Sequence, residues 1–140
     1  MTGEPLRVLV LCSGNIGRSP LAEVMLKAAL ADRLGIASAA LGAAGIEVSS
    51  AGIDAPAGRG ASKRGIPFAA ARGLDLRSHR ATLLTAEMAE GADIIYGMDN
   101  SQVEGVRVVS NDAAAKTTLW AGEGSEIPDP HHESDEFFVR

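Results

Sequence analysis

The feature that most constrains the fold is a short apolar strand followed directly by a glycine-rich loop and a helix start. Val8–Leu11 is an unbroken run of valine and leucine, which is typical of a strand buried on both faces of a parallel sheet. The next segment, Cys12–Arg18, contains two glycines and an asparagine, residue types that tolerate tight backbone conformations. Ser19 and Pro20 suit the N-cap and the first position of a helix, which we expect to end at Gly35.

The rest of the chain alternates between strand and helix candidates. Ala51–Gly60 is rich in Gly, Ala and Pro and is predicted to be a loop. We expect further strands at Ile46–Ser50, Asp93–Met98 and Val106–Val109, and helices at Ser62–Arg72 and Thr82–Gly91. Alternation of this kind indicates an α/β fold, a three-layer domain with a central four-stranded parallel sheet flanked by helices. Ligands of such sheets bind at the carboxyl ends of the strands, where Cys12 is predicted to lie.

Length and charge exclude several classes of protein. A chain of 140 residues with 46% hydrophobic residues suits one domain, which we expect to span residues 1–140. With 13 basic and 18 acidic residues and a net charge of -5, it does not resemble a basic nucleic-acid-binding domain. Its apolar runs are too short to span a membrane, and it shows no secretory signal. The single cysteine predicts a reducing, cytoplasmic location.

Cys12 and Arg18 have the arrangement of a thiolate nucleophile inside a phosphate-binding loop. Five residues separate them, between the predicted strand and the predicted helix. Backbone N–H groups of a curved loop, with the positive end of the following helix, bind an oxyanion and also favour the thiolate form of Cys12. The planar guanidinium of Arg18 matches two phosphate oxygens and can stabilise the charge of an in-line phosphoryl transfer. The segment therefore predicts cysteine-dependent phosphoryl chemistry.

The wider segment Val10–Glu23 reads VLCSGNIGRSPLAE. It resembles the low-molecular-weight protein tyrosine phosphatases, whose signature is Cys-x-Gly-Asn-x-x-Arg-Ser-Pro-x-Ala-Glu. The resemblance continues at Ser50–Gly52, His79–Ala81, Ala92–Ile95, Met98–Asp99 and Ile127–Pro130. It therefore covers nearly the whole chain.

This resemblance implies a role for each residue of the motif. Cys12 attacks phosphorus to give a cysteinyl-phosphate, Arg18 holds the phosphoryl oxygens, and Asp129 is the general acid and then the base that activates water. Ser19 matches the serine that hydrogen-bonds the nucleophile, and His79 matches a residue that braces the loop. The phosphate-binding loop comprises Ser13, Gly14, Asn15, Ile16, Gly17 and Arg18.

No cofactor and no metal are predicted for this chemistry. One cysteine cannot form a multi-cysteine zinc site. The adjacent side chains of His131 and His132 point apart in an extended chain, so a shared metal is not expected.

Several positions depart from the family pattern. Gly17 stands where many members carry a second cysteine, so reversible disulfide protection of Cys12 is expected to be weaker. Ile16 favours the tyrosine-specific branch over the arginine-phosphatase branch, which has threonine there. His131 follows Asp129-Pro130 where tyrosine-specific members usually supply tyrosine. Only Phe137 and Phe138 match the start of the family's C-terminal helix, so residues 1–140 are expected to lack it.

The predicted function is that of a cysteine-dependent phosphomonoester hydrolase, best supported as a protein tyrosine phosphatase. The missing tyrosine near Asp129 leaves open a phosphatase of small phosphomonoesters. A thiol-cofactor-dependent arsenate reductase is a second alternative, and a non-catalytic anion-binding module is a third. The expected partner is a phosphorylated protein or small phosphomonoester, with no nucleic acid and no membrane, while the oligomeric state is left open.

Overall fold

Strands and helices alternate along residues 5–121, the part of the chain that the computed structural model describes. The strands are β1 (Leu6–Cys12), β2 (Ile46–Gly52), β3 (Ile94–Gly97) and β4 (Thr117–Leu119). The helices are α1 (Arg18–Leu34), α2 (Gly65–Ala70), α3 (Ala86–Gly91) and α4 (Asn100–Val109). Within these residues, no helix is long and apolar enough to cross a bilayer.

The four strands form one parallel sheet in the order β2-β1-β3-β4, which confirms the predicted architecture. The chain leaves β1 through α1 to reach β2 on one side, and later enters β3 on the other side. The carboxyl end of β1 therefore lies at the switch point of the sheet, where α/β folds bind their ligands. Cys12 occupies this end and pairs in register with Gly52 of β2.

The core has two halves, one on each face of the sheet. Val10 and Cys12 point to the face that α1 covers, where they pack with Ala22. Leu9 and Leu11 point to the opposite face, against a cluster that includes residues of α3 and α4. The unbroken apolar run of β1 follows from this, because both of its faces are buried, and the three-layer prediction is confirmed.

The prediction of a fourth strand at Val106–Val109 is wrong, because these residues end helix α4. Asp99 and Gln102 form a capping box that starts this helix, and such a cap satisfies N–H groups that a helix start leaves without partners. Val106 is fully buried, whereas Val108 is 84% exposed. The fourth strand is instead β4, Thr117–Leu119, which pairs with β3.

The start of α1 also differs from the prediction. The helix begins at Arg18 with Gly17 at its N-cap, so Ser19 lies inside the first turn and does not cap it. Gly35 ends the helix in the left-handed conformation, as predicted.

The next two helices are shorter than predicted. Helix α2 covers only Gly65–Ala70. Helix α3 begins after Thr85, whose side chain accepts from the backbone N–H of Met88. Residues 82–84 are extended because Gly52 donates to the carbonyl of Thr82 and accepts from the N–H of Leu84.

Candidate active site

The loop between β1 and α1 folds back over the sulfur of Cys12. This cysteine is 2% exposed, and its Sγ accepts a hydrogen bond from the backbone N–H of Asn15 at 3.1 Å. Asn15 has φ 54°, in the left-handed region, which asparagine occupies more readily than most other non-glycine residues. The turn at Asn15 therefore aims a backbone donor at the sulfur.

A buried hydrogen-bond chain places a second donor on the same sulfur. Asn15 Nδ2 donates to Ser19 Oγ at 2.8 Å and to Ser50 Oγ at 2.9 Å, and Ser19 Oγ lies 3.0 Å from Cys12 Sγ. Because Ser19 Oγ accepts from Asn15, its own hydrogen is left to point at the sulfur. Two donors directed at one sulfur can stabilise negative charge that resides on it.

Glu23 sets the direction of this chain of hydrogen bonds. Its Oε1 atom accepts from Ser50 Oγ at 2.6 Å, and its Oε2 atom pairs with Lys27 Nζ at 2.7 Å. A carboxylate held by a lysine acts only as an acceptor, so Ser50 must donate to Glu23 and accept from Asn15. Because Ser50 accepts, the amide nitrogen of Asn15 must face it. The same nitrogen also donates to the hydroxyl oxygen of Ser19.

The backbone of the loop offers further donors. The N–H groups of Gly14, Ile16 and Gly17 have no protein acceptor among residues 5–121. Buried backbone donors are almost always paired, so unpaired ones beside a helix start are suited to an oxyanion. The carbonyls of the loop point the other way, and that of Ile16 accepts from the N–H of Ser62 at 2.7 Å.

Arg18 is held by a carboxylate from the far half of the chain. Its side chain is only 5% exposed, and Nη1 donates to Asp99 Oδ2 at 3.0 Å. Burial alone would raise the pKa of Asp99, but hydrogen bonds from Ser101 and Arg18 outweigh it and hold the pKa below its ordinary value. Asp99 therefore stays ionised and fixes the guanidinium at the start of α1.

Gln102 joins the Arg18–Asp99 pair to the loop. It is completely buried, and its Oε1 atom accepts from the backbone N–H groups of Met98 at 3.0 Å and Asp99 at 2.8 Å. Its Nε2 atom donates to Ser13 Oγ at 3.1 Å. One amide side chain thus connects the end of β3, the start of α4 and the residue that follows Cys12.

His79 contacts the loop from outside. Its Nε2 atom lies 2.7 Å from the carbonyl oxygen of Asn15. Because a carbonyl only accepts, Nε2 carries the hydrogen, which suits a bracing contact. Asn15 is thereby held at both ends, since its Oδ1 atom accepts from the N–H of Thr82 at 2.8 Å.

The structure brings most of the predicted site residues together and adds others to which the sequence analysis assigned no role. Cys12, the loop residues 13–17, Arg18, Ser19 and His79 share one hydrogen-bonded region. Asp129, His131 and His132 lie outside the described residues, as do Phe137 and Phe138. The added residues are Glu23, Ser50, Asp99 and Gln102. Within residues 5–121, no group of three or more His, Cys, Asp or Glu side chains could hold a metal ion.

One signal for Asp99 was present in the sequence. Parallel strands end at the same edge of a sheet, and an Asp that caps the helix after β3 must lie near Cys12 at the end of β1.

Comparisons with known proteins agree with this geometry. Residues 7–140 match the model of the family described as low molecular weight phosphotyrosine protein phosphatase. The low molecular weight protein-tyrosine-phosphatase Etp of Escherichia coli K12 is 33% identical over 133 residues, which is 94% of this chain and 81% of Etp.

Solved structures of similar proteins share the fold. The crystal structure of the tyrosine phosphatase AmsI of Erwinia amylovora superposes with a TM-score of 0.80 at 31% identity, covering 99% of this chain and 84% of AmsI. Vibrio vulnificus Wzb, solved with benzylphosphonate, gives a TM-score of 0.79 at 30% identity over 96% of this chain and 87% of Wzb. Together with the loop around Cys12, these matches show that the chain belongs to the low molecular weight phosphotyrosine protein phosphatase family of hydrolases.

Proposed function

We propose that the enzyme hydrolyses phosphotyrosine in proteins through a cysteinyl-phosphate on Cys12. In the first step, the thiolate Sγ attacks phosphorus, an S–P bond forms and the bond to the leaving oxygen breaks. The electron pair goes to that oxygen, which takes a proton from Asp129. Arg18 and the N–H groups of the loop bind the remaining phosphoryl oxygens as charge moves between them.

Water completes the cycle in the second step. Asp129, now a carboxylate, takes a proton from the water that attacks phosphorus. The S–P bond breaks, inorganic phosphate leaves, and the electron pair returns to Sγ as a thiolate. Each group ends in the state in which it began, so the scheme needs no redox partner.

The observation that carries this proposal is the pair of donors on Cys12 Sγ. Asn15 N–H and the Ser19 hydroxyl both stabilise negative charge on the sulfur, at 3.1 Å and 3.0 Å. A buried cysteine that served only as a small apolar residue would have no need of two aligned donors. The thiolate is both the nucleophile of the first step and the leaving group of the second.

The proposed substrate class rests on the relatives and on the loop. Etp and AmsI are named as tyrosine phosphatases, and Vibrio vulnificus Wzb binds benzylphosphonate, which combines a benzyl ring with a phosphonate. In this chain, Ile16 is an apolar residue of the loop that follows Cys12, and we propose that it contacts the aromatic ring of the substrate. A phosphorylated protein is therefore the proposed partner.

We also propose that residues 1–140 act as one phosphatase domain in the cytoplasm. The lone cysteine supports this location, because its thiol must stay reduced to act as a nucleophile.

The proposal is tested by hydrolysis of para-nitrophenyl phosphate by the wild type and by Cys12→Ser, with a metal chelator present and with orthovanadate as a competing anion. We expect turnover in the wild type that persists with the chelator and is inhibited by orthovanadate. The Cys12→Ser variant should lose at least about a thousandfold in rate, because a hydroxyl at this position is a much weaker nucleophile. Equal turnover by the two proteins, both shown to be folded, would refute the proposal.

A further inference from the structure

A basic stretch of the chain lies beside the phosphate-binding loop and has no part in the proposed chemistry. Between Ala55 and Leu74 the sequence has four basic residues and no acidic residue, although the whole chain carries a net charge of -5. A local excess of positive charge on an acidic protein concentrates anionic ligands at that place.

Backbone hydrogen bonds fix this stretch against the loop. The N–H of Ser62 donates to the carbonyl of Ile16 at 2.7 Å, and Lys63 follows directly. The carbonyl of Arg59 accepts from the N–H of Ala81 at 2.7 Å. The backbone of Lys63 therefore adjoins the loop, and that of Arg59 is bonded to Ala81, two residues after His79, which contacts the loop at Asn15; both residues precede helix α2.

Arg80 adjoins the same stretch from the next segment. Its guanidinium lies over Gly60, 3.6 Å from the position that a Cβ atom would occupy there. The preceding residue, His79, contacts the loop at Asn15. Arg59, Lys63 and Arg80 are all exposed, and we name these three residues the basic rim.

The charges of the basic rim are not neutralised by neighbouring carboxylates. Among the described residues, Arg59 and Lys63 form no salt bridge, whereas Arg77 in the same region pairs with Asp75 at 2.9 Å. Arg80 donates to backbone carbonyls only, at 2.7 Å to His79 and 3.5 Å to Arg77.

An exposed acidic residue is bonded to the loop at a different position, Ser13. The N–H of Asp54 donates to the carbonyl of Ser13 at 2.9 Å, so the backbone of this exposed residue adjoins the loop at Ser13. The site is thus basic beside Ile16 and acidic beside Ser13. The residues that flank the phosphate in a substrate therefore contact basic residues near Ile16 and an acidic residue near Ser13. This difference in charge favours one direction of the bound peptide over the other.

We propose that the basic rim binds acidic side chains that flank the phosphorylated residue, so that the substrates are phosphoproteins with acidic sequence around the phosphate. This inference rests on the proposed function. The net charge of -5 repels nucleic acids and anionic membranes at long range, whereas a short acidic segment reaches the rim while its phosphate occupies the loop.

The experiment compares two peptides of equal length that carry one phosphotyrosine, flanked by glutamates in one and by glutamines in the other. The measured quantity is the ratio of their kcat/KM values. A change in the phosphate-binding loop affects both peptides equally, so it does not alter this ratio. The wild type is compared with Arg59→Glu/Lys63→Glu and with Arg33→Glu/Arg107→Glu. The second pair gives the same change in net charge at the last turns of α1 and α4, whose first turns lie at the site.

We expect the wild type to favour the glutamate peptide by about threefold to tenfold at low salt, the range for a few exposed ion pairs. The preference should fall towards one as salt rises from about 0.01 M to about 1 M, because the Debye length shrinks from about 30 Å to about 3 Å. It should disappear in Arg59→Glu/Lys63→Glu and persist in Arg33→Glu/Arg107→Glu.

A wild-type ratio of one overturns the inference, and so does an equal loss of preference in both double variants, which would reflect net charge alone. Binding to phosphatidylserine vesicles that only the rim variant loses, with an unchanged peptide ratio, would overturn it in favour of a lipid surface. Failure of the proposed function has a different result, since the wild type would then hydrolyse neither peptide nor para-nitrophenyl phosphate.

Discussion

At the scale of single residues, the site depends on the direction of hydrogen bonds as much as on the groups that form them. Glu23 can only accept, so Ser50 donates to it and accepts from Asn15, and the hydroxyl of Ser19 is left to donate to Cys12. Each side chain in this series of hydrogen bonds therefore has a fixed role as donor or acceptor toward each neighbour. Removing a member should therefore weaken the stabilisation of negative charge on the sulfur even where the backbone is unchanged.

Ser19→Ala tests this account at the sulfur. Loss of a hydrogen bond to a charged group costs about 1.5–3 kcal/mol, so turnover that depends on negative charge at the sulfur should slow by about tenfold to a hundredfold. The measurement is kcat/KM for para-nitrophenyl phosphate, compared between the variant and the wild type. Ser49→Ala, on the exposed side of β2, is the matched control. Equal kcat/KM values for Ser19→Ala and the wild type would contradict this role of Ser19.

Asp99→Asn tests the ion pair with Arg18 through the pH dependence of stability. The pKa of Asp99 is lowered in the folded state, against about 3.9 for an unperturbed aspartate. A lowered folded-state pKa gives stability that is complete above the unfolded-state value and is lost as the pH falls through the folded-state value. We expect the variant to lose about 1.5–3 kcal/mol at neutral pH, and less in acid.

The measurement for Asp99→Asn is urea unfolding followed by the fluorescence of Trp120, at about pH 7 and about pH 3. Asp112→Asn, at an exposed position, is the control. A difference from the wild type that is the same at both pH values would show that the Asp99 carboxylate does not provide the stabilisation.

At the scale of elements, the end of β2 must come very close to the phosphate-binding loop. A Cβ atom at Gly52 would lie 2.5 Å from the carbonyl oxygen of Ser13 and 2.9 Å from the nitrogen of Asn15. Both contacts are to backbone, which cannot rotate away as a flexible side chain can. Glycine is therefore needed at position 52 because the neighbouring backbone leaves no room for a side chain, and not because of the backbone angles of Gly52.

Gly52→Ala should displace the loop and reduce both stability and activity. Overpacking of this kind costs about 1–3 kcal/mol, and a loop moved by a fraction of an ångström should also lower kcat for para-nitrophenyl phosphate. Gly42→Ala is the matched control, because a Cβ atom there would have no neighbour within 4 Å. Wild-type kcat and stability in Gly52→Ala would show that the loop tolerates the displacement.

The elements also show where sequence reasoning succeeds and where it fails. The segment from β1 to α1 was predicted well because its signals are local: an apolar run, glycines, and Gly35 at the helix end. Val106–Val109 was mistaken for a strand because valines favour strands, yet the capping box at Asp99 starts a helix that includes them. Strand β4 has three residues and no apolar run, so the local sequence does not indicate a strand. It is defined by its hydrogen bonds to β3.

At the scale of the whole molecule, the site is assembled from segments far apart in the chain. Arg18 and Asp99 are 81 positions apart, and Ser13 and Gln102 are 89 apart. No local pattern links such residues, so a contiguous motif identified Cys12 and Arg18, while the contacts of Asp99 and Gln102 with the loop are visible only in the folded sheet. The parallel order of the strands is what brings them together, because it places the ends of β1 and β3 side by side.

Asp129→Asn tests whether the C-terminal segment supplies the general acid. A neutral amide cannot protonate the leaving oxygen, so the rate should fall most for substrates with poor leaving groups. We expect a loss at least about tenfold larger for an alkyl phosphate than for para-nitrophenyl phosphate, whose leaving group needs little protonation. Glu126→Gln, nearby in the sequence, is the control. Equal losses for both substrates would remove Asp129 from this role.

In the proposed mechanism, the phosphoryl group of the substrate becomes covalently bonded to the sulfur of Cys12. This step is tested most directly by mixing the enzyme with a radiolabelled aryl phosphate, quenching rapidly during turnover and mapping the labelled peptide. We expect label on the peptide that contains Cys12, and neither label nor turnover in Cys12→Ser. Label on another residue, or turnover of Cys12→Ser at the wild-type rate, would contradict it.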